Sequence, residues 1–144
     1  MAGATTLTAT LGESGFRTDI SSGAHAFTAD EPGALGGDDS GPSPYVLLLS
    51  ALGACKAMTM RLYADRKGWD LTGATVELTH QKASPEEAGV EPSGSSGKPI
   101  DLIEVRITVD GDLDDDQKQR IIDIAERCPV HQTITNGTTV VRKA

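Results

Sequence analysis

At 144 residues the chain matches one domain, because a single hydrophobic core typically serves roughly 100 to 200 residues. Its 38% hydrophobic and 24% charged content suits a globular protein and excludes disorder throughout, while 3% aromatic content leaves the interior to aliphatic side chains. A formal net charge of -8 argues against nucleic acid and against an anionic membrane surface as partners, since both are bound through lysine and arginine.

The run from Met1 to Leu11 is rich in threonine and lacks the basic start and apolar stretch of a secretory signal, so a cytoplasmic address is expected. Within it Leu7, Ala9 and Leu11 alternate with Thr8 and Thr10, the period-two pattern of a half-buried strand. Further strands are expected between Phe16 and Ile20 and between His25 and Ala29. From Glu31 to Pro44 the density of glycine and proline predicts a structured loop with no regular element inside it.

That loop opens onto the main helix. Ser43 is placed to cap it, and Pro44 suits the first helical position, where a missing N–H costs nothing. The helix should run to about Lys67, with Gly68 as its stop. Between Tyr45 and Met58 apolar residues cover nearly every face, the mark of a helix surrounded by protein. Cys55 is therefore expected mid-helix in the core, and Lys56, Arg61, Arg66 and Lys67 at a solvated C-terminal end. The apolar run Tyr45 to Cys55 is well short of the roughly 20 residues that cross a bilayer, so no membrane partner is expected.

Ala74, Val76 and Leu78 alternate with polar residues as another half-buried strand. Residues 81–98 have almost no apolar content and predict a flexible insert joining two strands. The clearest strand follows at Ile103, Val105, Ile107 and Val109. A second helix starts with a capping box at Asp114 and Gln117, carries acidic residues in its first turn and Arg127 in its last, and ends at Pro129. Its face of Ile121, Ile124, Ala125 and Cys128 turns Cys128 toward the core. Thr133 to Val141, with Asn136-Gly137 at the middle, reads as a closing hairpin.

Strands, long helix, strands, short helix and hairpin make an α+β single domain over residues 1–144 with antiparallel pairing. One small sheet covers one face of an all-round apolar helix, and a second copy of the chain is the commonest cover for the rest, so a homodimer is expected.

The chemistry-bearing residues are the two cysteines. In a reducing compartment a cysteine pair is redox-active or buried more often than a permanent staple. Cys55 lies in Gly41-Pro-Ser-Pro-Tyr-Val-Leu-Leu-Leu-Ser-Ala-Leu-Gly-Ala-Cys-Lys-Ala-Met-Thr-Met60, and Cys128 opens Cys128-Pro-Val-His131. With the Ala-Asp-Glu-Pro stretch, Leu-Gly-Gly and Tyr-Ala-Asp-Arg-Lys-Gly-Trp69, these segments resemble the OsmC/Ohr family, specifically its OsmC-like branch, from about Phe16 to Val141. The resemblance implies an intertwined homodimer whose antiparallel sheets wrap two long central helices. It implies a peroxiredoxin-like hydroperoxide reductase, an oxidoreductase with peroxide as substrate and an external dithiol as reductant. Cys55 would attack the peroxide and Cys128 would resolve the resulting sulfenic acid.

A thiolate in an apolar helix needs a positive partner. In the family this is an arginine on an early strand or loop, and Arg17 is the only cation before Lys56. Two departures stand out. The family's orienting glutamate would fall at Tyr45 or Val46, leaving the Tyr45 hydroxyl, Asp38 or Asp39 as replacements, and Gln132 stands where close relatives often carry arginine. The alternative is a non-enzymatic relative, a dimeric binding protein for an apolar ligand or a slow thiol redox sensor.

No cofactor is expected, since neither a dinucleotide nor a phosphate-loop signature occurs. His131 three residues after Cys128 is half a metal site at most, because zinc needs three or four ligands. His25 and His80 sit in strand patterns without a role, and no motif places the oxyanion hole of a cysteine hydrolase.

Overall fold

The computed structural model describes residues 3–90 and 98–143. The chain forms two compact units, Met1–Leu48 and Leu49–Ala144, each with its own antiparallel sheet.

In the N-terminal unit β1 (Thr8–Leu11), β2 (Thr18–Ser22) and β3 (His25–Ala29) pair in the order β1-β2-β3. β3 spans the residues its pattern predicts. β1 does not become half-buried: all four of its residues are exposed, and among the described residues it pairs with β2 alone. After β3 the chain is tied down by Asp30, which is 2% exposed. Its carboxylate accepts bonds from the Ser40 hydroxyl at 2.6 Å and from the backbone N–H groups of Glu31, Asp38 and Ser40 at 2.8, 3.3 and 3.1 Å. These bonds, the Ser40 hydroxyl first, favour the ionised form and hold its pKa below the ordinary value against the opposing effect of burial. The glycine-rich loop does contain one regular element, a 3₁₀ turn at Gly33–Leu35.

α1 (Pro44–Lys67) has the predicted limits. The Val46 N–H donates to Ser43 Oγ at 3.4 Å, and Gly68 closes the helix in the left-handed region with φ 69°. Its burial differs from expectation. Only Leu52, Lys56, Met60 and Ala64, spaced four apart, are buried, while Tyr45, Val46, Leu48, Met58 and Leu62 are exposed. The pattern is all-round apolar, but the single chain supplies cover for one stripe. α1 is long and apolar enough to cross a bilayer by length and composition, yet that stripe is used in the protein core. Lys56 corrects the sequence expectation most sharply: it is fully buried, whereas Arg61, Arg66 and Lys67 are exposed as predicted.

The C-terminal unit holds the hairpin of β4 (Asp70–Ala83) and β5 (Ile100–Asp112), both longer than their alternation alone suggested. Close approach of α1 to β4 depends on Gly53, where an added Cβ would meet Leu78 Cδ1 at 2.8 Å. Met60 and Ala64 of α1 join Leu71, Val109, Ile121 and Ala125 in the core. Tyr63 and Trp69 meet edge-on at 5.7 Å at its margin. Of the expected insert 81–98, Gln81 to Ala83 complete β4, Ser84 and Glu87 bond to each other reciprocally at 2.9 and 3.2 Å, and residues 91–97 lie outside the described residues.

α2 (Asp115–Ile124) begins with the predicted capping box, formed by Asp114 and Gln117. A 3₁₀ turn, Ala125–Arg127, leads to α3 (Pro129–Thr135). The closing hairpin is therefore not formed: Thr133 to Thr135 are helical, and residues 138–143 take no regular structure. Pro129 is not where α2 stops, since that helix gives way to the 3₁₀ turn after Ile124; it starts α3, because a proline at the first position with a capping side chain before it is a helix start.

Candidate active site at a cysteine pair

Cys55 and Cys128 come from elements far apart in sequence, the middle of α1 and the junction between the 3₁₀ turn and α3. Both belong to the C-terminal unit as free thiols, close enough that the Cys55 side chain acts on the acidity of Cys128. Their environments differ. Cys55 is partly exposed, not sealed in the core as expected, while Cys128 is fully buried as its helical face predicts.

Cys128 also caps α3, its sulfur accepting a bond from the His131 N–H at 3.3 Å. Burial pushes its pKa up, and the Cys55 side chain adds to that rise. The His131 N–H and the charge of Lys56 oppose it without winning. The net effect favours the thiol form of Cys128.

Beside the sulfurs lies a group that sequence reasoning sent to the surface. Lys56 Nζ donates to the Ala125 carbonyl oxygen at 3.1 Å, lies 3.1 Å from His131 Nδ1 and stands 3.9 Å from Glu126 Oε1. An ammonium can only donate, so an ionised Lys56 makes Nδ1 the acceptor and requires the His131 proton on Nε2, which lies 3.9 Å from Glu126 Oε2. The one available signal was a single charge inside an apolar run, four residues from Leu52 and four from Met60 on the same face.

Arg17 belongs to the N-terminal unit, where its exposed guanidinium pairs with Asp19 Oδ1 at 3.4 Å. Tyr45, Val46, Asp38 and Asp39, the positions weighed as substitutes for an orienting carboxylate, lie in that unit too. Tyr45 and Val46 are about half exposed, and the Asp38 N–H is engaged by Asp30. His80 is paired with Asp101 at 2.8 Å on the hairpin. Among the described residues no cluster of three or more His, Cys, Asp or Glu could hold a metal ion.

His131 joins the cluster to a cavity of about 290 Å³, whose wall is mostly apolar and includes Leu52, Val90, Ile103, Val105 and Ile134. A small organic molecule fits such a space better than a charged one.

Residues 37–142 match the family model described as OsmC-like protein. The fold is similar to that of an OsmC-like protein from Mycoplasma pneumoniae, with 23% identity, a TM-score of 0.72 and coverage of 93% of this chain and 89% of that one. An organic hydroperoxide resistance protein from Elizabethkingia anophelis, with thiocyanate bound, matches at 19% identity and a TM-score of 0.64 over 94% and 91% of the two chains. An organic hydroperoxide resistance protein from Legionella pneumophila matches at 17% identity and 0.61 over 94% and 91%. No curated protein sequence matches this chain.

Proposed function

Given that the chain belongs to the OsmC-like family, we propose that it is a thiol-dependent peroxidase in which Cys55 attacks the peroxide and Cys128 resolves the product. The observation that carries this reading is the asymmetry of the pair: a partly exposed sulfur beside a buried one that is held protonated. That two proteins of similar fold are organic hydroperoxide resistance proteins supports it.

The chemistry balances with two thiols and an external dithiol. The Cys55 thiolate displaces an alkoxide or hydroxide from the peroxide O–O bond and becomes a sulfenic acid, and the leaving oxygen takes a proton. Cys128 then attacks the Cys55 sulfur, forming the disulfide and releasing water, with the thiol proton going to the departing hydroxide. A dithiol reductant returns both sulfurs to the thiol state by exchange and leaves as its own disulfide. Arg17 is assigned the charge that stabilises the Cys55 thiolate, as the family resemblance implies. The working form is a homodimer in the reducing cytoplasm.

The test is peroxide consumption with a dithiol reductant, using an organic hydroperoxide and hydrogen peroxide in parallel. Cys55→Ser should abolish turnover, and unchanged turnover in that variant would remove Cys55 from the mechanism. The apolar cavity beside His131 favours a second reading, a binding protein for an apolar ligand. Wild-type chain that consumes no peroxide, yet binds apolar molecules equally well with Cys55 replaced, would establish it.

A further inference from the structure

We infer that Lys56 is a positioning residue for the resolving step: its buried ammonium, clamped by Ala125 and His131, keeps a positive charge beside Cys128 and fixes the turn that carries it. The inference rests on the reading of Cys128 as the resolving thiol, and adds a residue that neither helical pattern nor family motif assigned.

Burying an ammonium is costly unless it is paired, so a fully buried lysine in an apolar stripe needs compensating partners. Lys56 has three, and all belong to the segment around Cys128. Ala125 and Glu126 precede the cysteine in the 3₁₀ turn, and His131 follows it in α3. The clamp therefore closes over both sides of Cys128. His131 serves twice, its ring accepting from Lys56 while its backbone N–H donates to the Cys128 sulfur. The groups acting on Cys128 are then Cys55 and Lys56 from α1 and His131 from α3, with Glu126 of the 3₁₀ turn set against Lys56 and His131. Lys56 is the cation among them, and its charge acts against the burial that disfavours a thiolate at Cys128.

Attack on Cys55 requires negative charge to develop on the Cys128 sulfur, which is fully buried. A fixed positive charge lowers that cost, whereas a water-exposed cation would be screened. Glu126, 63% exposed, closes the cluster toward solvent and balances the lysine without entering the core.

The experiment isolates the resolving step from peroxide. Full-length chain is treated with methyl methanethiosulfonate, which transfers a methylthio group to the Cys55 sulfur and releases methanesulfinate. The Cys128 thiolate then attacks Cys55, forming the intramolecular disulfide and releasing methanethiolate, and mass spectrometry follows this loss across pH. Lys56→Met, with a straight apolar chain of similar size, should slow the step by about tenfold at neutral pH and move its midpoint to higher pH, in line with roughly one unit in thiol acidity. Lys56→Arg should recover most of the rate, and Cys128→Ser should stop at the methylthio adduct. An unchanged rate and midpoint in Lys56→Met overturns the inference.

Peroxide consumption measured alongside separates this from the peroxidase reading. Resolution that depends on Lys56 without Cys55-dependent peroxide consumption keeps the positioning role and sinks the peroxidase; consumption with resolution indifferent to Lys56 does the reverse. Should Lys56→Met fail to fold, nitrogen NMR of wild-type His131 decides. The clamp requires the proton on Nε2, and a proton on Nδ1 overturns it, since an ammonium cannot accept that bond.

Discussion

Cys128 combines complete burial with a sulfur that accepts a backbone hydrogen bond as a helix cap. Its raised pKa has a consequence for stability. The folded protein holds the Cys128 proton more tightly than the unfolded chain does, so this contribution is fully present below the ordinary thiol range and is lost as pH rises through the raised value. Cys128→Ser should accordingly flatten the alkaline fall in thermal stability relative to wild type, as followed by circular dichroism against pH. The same variant should leave Cys55 without a resolving partner, so excess peroxide should drive it on to the sulfinic acid, a gain of two oxygens by mass. A Cys55 that stops at the sulfenic stage would show protection from a source other than Cys128.

At the scale of elements, helix starts carry much of the local order. The capping box of α2 satisfies two otherwise unpaired backbone donors, with Gln117 N–H to Asp114 at 2.8 Å and Asp114 N–H to the Gln117 side chain at 3.0 Å. Asp114→Ala should cost about 1 kcal/mol in denaturant unfolding and leave the cysteine chemistry unchanged, because it acts on the far end of α2 from Cys128. A fall in peroxide turnover at unchanged stability would show that α2 does more than support the turn. Both helix starts, at Ser43 and at Asp114, were legible in the sequence, because a cap and its backbone donor are two or three residues apart. The start of α3 was not, because cysteine is a rare cap and Asn136-Gly137 suggested a hairpin instead.

For the whole molecule the uncovered apolar residues of α1 pose the main question. Met58 is 69% and Leu62 53% exposed on a helix whose opposite stripe is in the core. Leaving such side chains in water forfeits roughly 25 cal/mol per Å² of apolar surface, and a symmetric dimer is the commonest way to recover it. Light scattering at micromolar concentration should give twice the 15.0 kDa chain mass. Leu62→Glu should lower it toward the single chain by placing a charge in an apolar interface. A monomeric wild type would leave the exposed face to another cover.

The sequence by itself determined the α+β class, the residues of β3, the limits of α1, both capped helix starts and the burial of Cys128. Each rests on periodicity or on residues a few positions apart, where local geometry decides. Only the tertiary structure decided that Cys55 is partly open, that α3 replaces a hairpin, and that Lys56 lies in the core. Lys56 shows why. A lysine's usual place is at the surface, and this one is buried because its hydrogen-bond partners, 69 and 75 positions further along the chain, repay the loss of water. A local pattern does not contain them; the fold brings them to the helix.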